Sequence, residues 1–171
     1  MKVFLLGFMG SGKTYWGRRL AAGMNVPLID LDEEIVKDAG MSIPDIFARK
    51  GEAYFRELER DKLHEILQNE HFIVSCGGGV PCFFDNMVVM NNEGLTIWLD
   101  APVEVMVDRL KRWRHERPLI RDLDDDALRE YVETKLNERR FFYQQAQLTI
   151  NPVTSDLSLF TNKIYACIDP T

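Results

Sequence analysis

At 171 residues the chain has room for one domain, large enough to bury roughly two-thirds of its unfolded surface. A hydrophobic share of 46% and a charged share of 28% predict a soluble globular protein, and no uninterrupted apolar run approaches the ~20 residues of a membrane span. The net charge of −6 excludes a nucleic-acid footprint spread over the surface, so any basic cluster has to be local.

The first predicted element is a buried strand, Val3-Phe4-Leu5-Leu6. Directly after it stands Gly7-Phe8-Met9-Gly10-Ser11-Gly12-Lys13-Thr14, the G-x-x-x-x-G-K-[ST] pattern of a phosphate-binding loop. Its glycines let the backbone turn with N–H groups pointing inward, Lys13 adds a cation for the β- and γ-phosphates, and the Thr14 hydroxyl can ligate Mg2+. Glycines interrupt the apolar start and Lys13, Arg18 and Arg19 follow at once, so no secretion signal is expected there.

Helical spacing of Trp16, Leu20, Ala21 and Met24 predicts a helix from Thr14 to Met24, and a short strand follows at Val26 to Asp30. Helical patterns then run over Glu33 to Ala39, Ile43 to Lys50 and Glu52 to Gln68, with Gly40, Pro44 and Gly51 at the boundaries. Phe72 to Cys76 is a buried strand stopped by Gly77-Gly78-Gly79, and Thr96 to Leu99 is another. A helix from Val103 to about Arg112 leads into a charged segment, Arg112 to Asp122, and then a long helix from about Asp124 to Ala146. Leu148 to Ile150 reads as a last strand and Ser155 to Ile168 as a closing helix.

Continuously apolar strands alternating with helices predict a parallel sheet covered on both faces, a three-layer α/β domain. No repeat or linker divides it. Cys76, Cys82 and Cys167 are odd in number and lack C-x-x-C spacing, which points to a reducing compartment and away from a disulfide framework or zinc site. His64, His71 and His115 form no ligand pattern with them and are expected at the surface.

Ligands of such sheets bind beyond the carboxyl ends of the strands. The first three strand ends carry the phosphate loop, Asp30-Leu31-Asp32 and the glycine triplet, which should converge. One aspartate suits the metal shell, with Asp30 favoured for Mg2+ through water, and the other suits a hydroxyl proton; Asp32 as a helix cap is the alternative. Gly77, Gly78 and Gly79 either make a tight turn or press against a second substrate. In the long helix Arg139 falls on the buried stripe of Leu128, Val132 and Leu136, and an inward arginine needs an anion. Arg56 has Glu52 and Glu59 at i−4 and i+3, which fits either a surface ion pair or a guanidinium held for a bound carboxylate. The run from Lys111 to Pro118 concentrates cations and suits a lid whose arginine neutralises transition-state charge.

In this ordered combination the chain resembles the shikimate kinase family over nearly its whole length. The matching residues are the phosphate loop, Asp30-x-Asp32, Ile46-Phe47 through Gly51-Glu52 to Phe55-Arg56-x-x-Glu59, Gly77 to Gly79, Arg117-Pro118-Leu119, and Arg139 four residues before Tyr143. The resemblance implies a P-loop kinase fold with sheet order 2-3-1-4-5, a mobile lid at about 112–122 and a substrate-binding helical segment at about 33–61. It implies an ATP-dependent kinase acting on the 3-hydroxyl of shikimate in chorismate synthesis, cytoplasmic and monomeric, with Mg2+ as cofactor. Gly10, Ser11, Gly12, Lys13, Thr14 and Arg117 would then meet ATP, Thr14 and Asp30 the metal, and Asp32, Arg56, Gly77, Gly78, Gly79 and Arg139 shikimate, with Phe47 and Phe55 lining its pocket. Lys13, Asp32 and Arg117 would be the catalytic residues, and the arginine on adenine would be Arg109 or Arg112. Asn151-Pro152-Val153 departs from the family's adenine-loop pattern. A kinase of another small hydroxy acid such as gluconate, and a non-catalytic shikimate-binding regulator, are the alternatives. A GTPase switch is not, because Asn162-Lys163 is followed by Ile164-Tyr165 instead of completing N-K-x-D.

Overall fold

The computed structural model describes residues 1–117 and 119–168, without the side chain of Glu116. Five strands, β1 (Lys2–Leu6), β2 (Leu28–Asp30), β3 (Phe72–Ser75), β4 (Leu95–Leu99) and β5 (Leu148–Ile150), form one sheet in the order β2-β3-β1-β4-β5. Every pairing is parallel, with Phe4 opposite Val74 on one side and Thr96 on the other. The helices are α1 (Lys13–Met24), α2 (Leu31–Ala39), α3 (Ile43–Ile66), α4 (Asn86–Glu93), α5 (Val103–Trp113), α6 (Asp125–Tyr143) and α7 (Leu157–Ile168). Among the described residues no helix is long and apolar enough to cross a membrane.

Central β1 shows why its sequence is apolar from Val3 on. Val3 and Leu5 join Trp16, Leu20, Phe160 and Ile164 of α1 and α7, while Phe4 and Leu6 join Leu63, Met106, Leu128 and Val132 of α3, α5 and α6. The strand's two-residue period thus feeds two cores, one on each face, and from Val3 to Leu6 no position is left for a polar side chain.

The predicted elements appear with ends shifted by a few residues. The helix boundary expected at Gly51 is present: within α3 that residue leaves the helical range at φ 83° and ψ 170°, so the segments on either side are separate helical runs. A Cβ there would meet nothing within 4 Å, so glycine is required by the backbone angle alone. Between Gly79 and Thr96 the sequence predicts no element, yet a 3-10 turn at Val80–Cys82 and α4 occupy it. Three asparagines and a cap residue, Asp85, that makes no side-chain capping bond leave α4 with little local signal; its burial of Met87 and Met90 sustains it.

α2 and α3 stack against each other beyond the β2 edge, and α5 leads away from the β4 end toward α6. Ser42 caps α3 through a bond from Asp45 N, and Asp124 caps α6 through one from Ala127 N at 2.8 Å. These caps fix where the two helices that carry the arginines begin.

Candidate active site

Beyond the carboxyl ends of β1, β2 and β3 lies a cleft of about 480 Å3 whose walls include Lys13, Thr14, Asp30, Asp32, Arg109 and Arg117. The phosphate loop forms its floor. Gly7, Gly10 and Gly12 take φ of 142°, 79° and 103°, angles that side chains disfavour, and this path brings the start of α1 up to the cleft. Ser11 is fully buried and its Oγ has no hydrogen-bond partner among the described residues. Lys13 Nζ folds onto the loop, donating to Gly7 O at 2.8 Å and Phe8 O at 3.0 Å. Burial pushes its pKa down to about 8, against the pull of Asp32 and Asp30.

The two aspartates divide their work differently from the capping alternative weighed for Asp32. Asp30 is the helix cap: its Oδ1 accepts from Asp32 N at 3.1 Å and Glu33 N at 3.4 Å. Its Oδ2 meanwhile accepts from Thr14 Oγ1 at 3.4 Å, so a hydroxyl and a carboxylate stand together on the cleft wall. Such a pair can hold a hard divalent cation that takes its other ligands from phosphate and water. Asp32, in the first turn of α2, leaves Oδ1 buried with no partner among the described residues. Burial raises its pKa, with Asp30 adding to the rise and Lys13 and Arg56 opposing it.

Gly77, Gly78 and Gly79 join this cleft to a second group of charges. A turn closes there, Val80 N donating to Gly77 O at 3.1 Å, but none of the three has a positive φ, so the turn alone does not call for glycine. Space does. A Cβ at Gly77 would lie 2.8 Å from both Asp32 Oδ1 and Glu59 Oε1, one at Gly78 would lie 3.0 Å from an Arg139 Nη, and one at Gly79 would overlap the Arg56 guanidinium. Three bare backbone units thus let two arginines and two carboxylates close on one loop.

Arg56 is buried, not the surface ion pair that its spacing also allowed. Its Nη1 donates to Glu59 Oε2 at 2.7 Å and its Nη2 to Glu52 Oε1 at 2.8 Å. Burial pushes the Glu59 carboxyl up to about 7, only partly offset by Arg56. Phe47 and Phe55 stack at 4.8 Å and flank the guanidinium, as does Phe83, which the sequence did not single out. Arg139 lies over the Phe8 ring of the phosphate loop at 5.4 Å, which places it between the loop and the glycines. Tyr143, one turn on and the residue that closes the Arg139 motif, donates its hydroxyl to Gly78 O at 2.6 Å, a contact its spacing did not indicate.

Of the two arginines considered for the base, Arg109 faces the loop, its Nη1 donating to Gly10 O at 2.9 Å, whereas Arg112 is exposed and outside the cleft wall. Trp113, one turn after Arg109, shares that wall. Arg117 is exposed and reaches the cleft, while Pro118 of the lid motif lies outside the described residues. His64, His71 and His115 are all exposed. Among the described residues no group of three His, Cys, Asp or Glu side chains is arranged to hold a metal.

Known proteins are similar to this chain over most of its length. A shikimate kinase from Bacteroides thetaiotaomicron is 42% identical over 151 residues, 88% of this chain and 86% of that protein. The crystal structure of shikimate kinase from that organism superposes with a TM-score of 0.91 at 37% identity, covering 99% of this chain and 98% of the other. A shikimate kinase from Acinetobacter baumannii, solved in complex with shikimate, gives 0.84 at 30% identity over 98% and 92% of the two chains. The family model described as shikimate kinase matches residues 9–168, a span that runs from within the phosphate loop through both arginine-bearing helices to the end of α7, and by that match this chain belongs to the shikimate kinase family.

Proposed function

We propose that this chain transfers the γ-phosphoryl group of ATP to the 3-hydroxyl of shikimate, giving shikimate 3-phosphate on the route to chorismate and the aromatic amino acids. The observation that carries it is the glycine triplet, which sets Arg56 and Arg139 against the same loop that reaches Asp32 and the phosphate cleft. Two arginines suit a carboxylate, and Asp32, with a buried acceptor oxygen left over, suits a hydroxyl. The A. baumannii relative is a shikimate complex, which supports the same choice of acceptor.

In this mechanism Gly10, Ser11, Gly12 and Lys13 cradle the phosphates, and Arg109 lies toward the base. Mg2+, held by Thr14 and through water by Asp30, supplies charge neutralisation on the phosphates when bound. Arg56 and Arg139 fix the carboxylate, Phe47 and Phe55 wall the ring, and Gly77, Gly78 and Gly79 let it approach the backbone. Asp32 orients the acceptor hydroxyl. The new O–P bond forms as the bridge between the γ- and β-phosphates breaks, ADP leaves, and the hydroxyl proton passes to Asp32. A loose transition state asks little of that base, so alignment and the cations Lys13 and Arg117 carry most of the rate. Arg117 belongs to a lid at about 112–122 that closes over the phosphates, and the helical segment 33–61 carries the acceptor side; together they work as one monomeric, cytoplasmic kinase domain.

A coupled ADP-release assay across shikimate, quinate and gluconate tests this directly. Saturable turnover with shikimate is expected; a rate that stays flat on adding shikimate, or is higher with gluconate, would end it.

A further inference from the structure

The loop after the glycine triplet carries an arrangement that the phosphoryl-transfer chemistry does not by itself require. Arg56 is held in its own plane by Glu52 and Glu59, but in-plane bonds alone do not stop a guanidinium from tilting. Its Cζ lies over the Phe83 ring, 4.3 Å from the ring centre, closer than to Phe55 at 5.3 Å or Phe47 at 6.0 Å. Phe83 is half-buried and belongs to neither apolar core cluster among the described residues, so core packing does not explain its place.

The backbone beside it is bent in a costly way. Phe83 is extended, and Phe84 takes φ 52°, the left-handed region that bulky residues rarely adopt. Such an angle persists where surrounding contacts over-determine it. The Phe84 ring is exposed, with Arg60, one turn after Arg56 on α3, over it at 4.7 Å, and Asn86 Nδ2 ties the same loop back to Val80 O at 3.0 Å. Two successive arginine turns of α3 therefore stack on two successive rings.

We propose that Phe83 is a positioning residue for the acceptor's carboxylate, its ring holding the Arg56 guanidinium in the plane that presents its free N–H groups to that carboxylate. This rests on the assignment of Arg56 as the carboxylate clamp.

The test compares wild type, Phe83→Leu and Phe83→Tyr by calorimetric shikimate binding, steady-state KM for shikimate and ATP, and thermal melting. Leucine keeps apolar volume and loses the π face; tyrosine keeps the face. Phe83→Leu should weaken shikimate by about 3- to 30-fold, with Phe83→Tyr within about twofold of wild type and the ATP KM unmoved in both. Wild-type affinity in Phe83→Leu would overturn the role of Phe83 and leave the clamp standing. Equal losses in the two variants, or a parallel loss of ATP affinity, would mark Phe83 as a fold residue only and overturn it too. Failure of wild type itself to bind shikimate would remove the clamp and the role together.

Discussion

Glu59 gives the sharpest quantitative test of the site's electrostatics. Its side chain is buried beside Arg56, and burial sets its carboxyl at about 7, against 4.5 for an ordinary glutamate. Below pH 4.5 both folded and unfolded chains hold the proton and the group contributes nothing. Between 4.5 and 7 the unfolded chain releases it while the folded chain keeps it, so stability falls as pH rises, and above 7 the full cost remains. At about 1.4 kcal/mol per tenfold, that gap is worth about 3.5 kcal/mol, of which about 2.5 falls between pH 5 and pH 8. Glu59→Gln mimics the protonated form and should lose this slope. Urea unfolding of both proteins at pH 5, 6, 7 and 8, followed by fluorescence of buried Trp16 and Trp98, reads the difference. The variant should gain about 2.5 kcal/mol on wild type across that range. Profiles that stay parallel within about 0.5 kcal/mol would show that Glu59 is charged throughout and that Arg56 fully compensates its burial.

Three further outcomes follow from the same geometry. Gly79→Ala places a methyl in the Arg56 guanidinium, so the shikimate KM should rise about tenfold with little change for ATP; an unchanged KM in a two-substrate titration would show that Arg56 moves aside without loss. Arg139→Ala should weaken shikimate binding by about 10- to 100-fold and ATP by less than about threefold, and equal losses in calorimetry would contradict the clamp. Lys13, at about 8 when free, is mostly neutral at pH 9, so nucleotide binding there should take up a proton and be about tenfold weaker than at pH 7. Calorimetry in buffers of different ionisation heat checks this, and no proton uptake would refute it. The stability contribution has the opposite sign to that of Glu59: Lys13 costs most below pH 8, and the cost lifts as pH rises toward 10.5.

What could be read from the sequence was what neighbours in sequence determine. The phosphate loop, the apolar strands and the inward stripe of α6 that carries Arg139 are all local patterns, and they stand where expected. The sheet order came through family resemblance, because strand pairing is a long-range choice that local apolar runs do not encode. The same limit explains the site. Spacing could pair Arg56 with Glu52 and Glu59, but it could not tell a surface ion pair from a buried one, since burial depends on how α3 meets the glycine loop. The capping role of Asp30 over Asp32 turned on a two-residue shift in where α2 begins, at Leu31 instead of Glu33. The Arg109 and Arg112 alternatives separate only once α5 is seen to run on to Trp113 and turn Arg109 toward Gly10. Phe83 left no trace, because its partner lies 27 residues away, across β3 and the glycine turn.

The most direct measurement is a single turnover with ATP labelled at its γ-phosphate and shikimate in excess. If the cleft and the arginine pair form one reaction site, the label moves into shikimate 3-phosphate with wild type and is lost with Lys13→Met. Label found only in inorganic phosphate, or left in ATP while shikimate is bound, would contradict it.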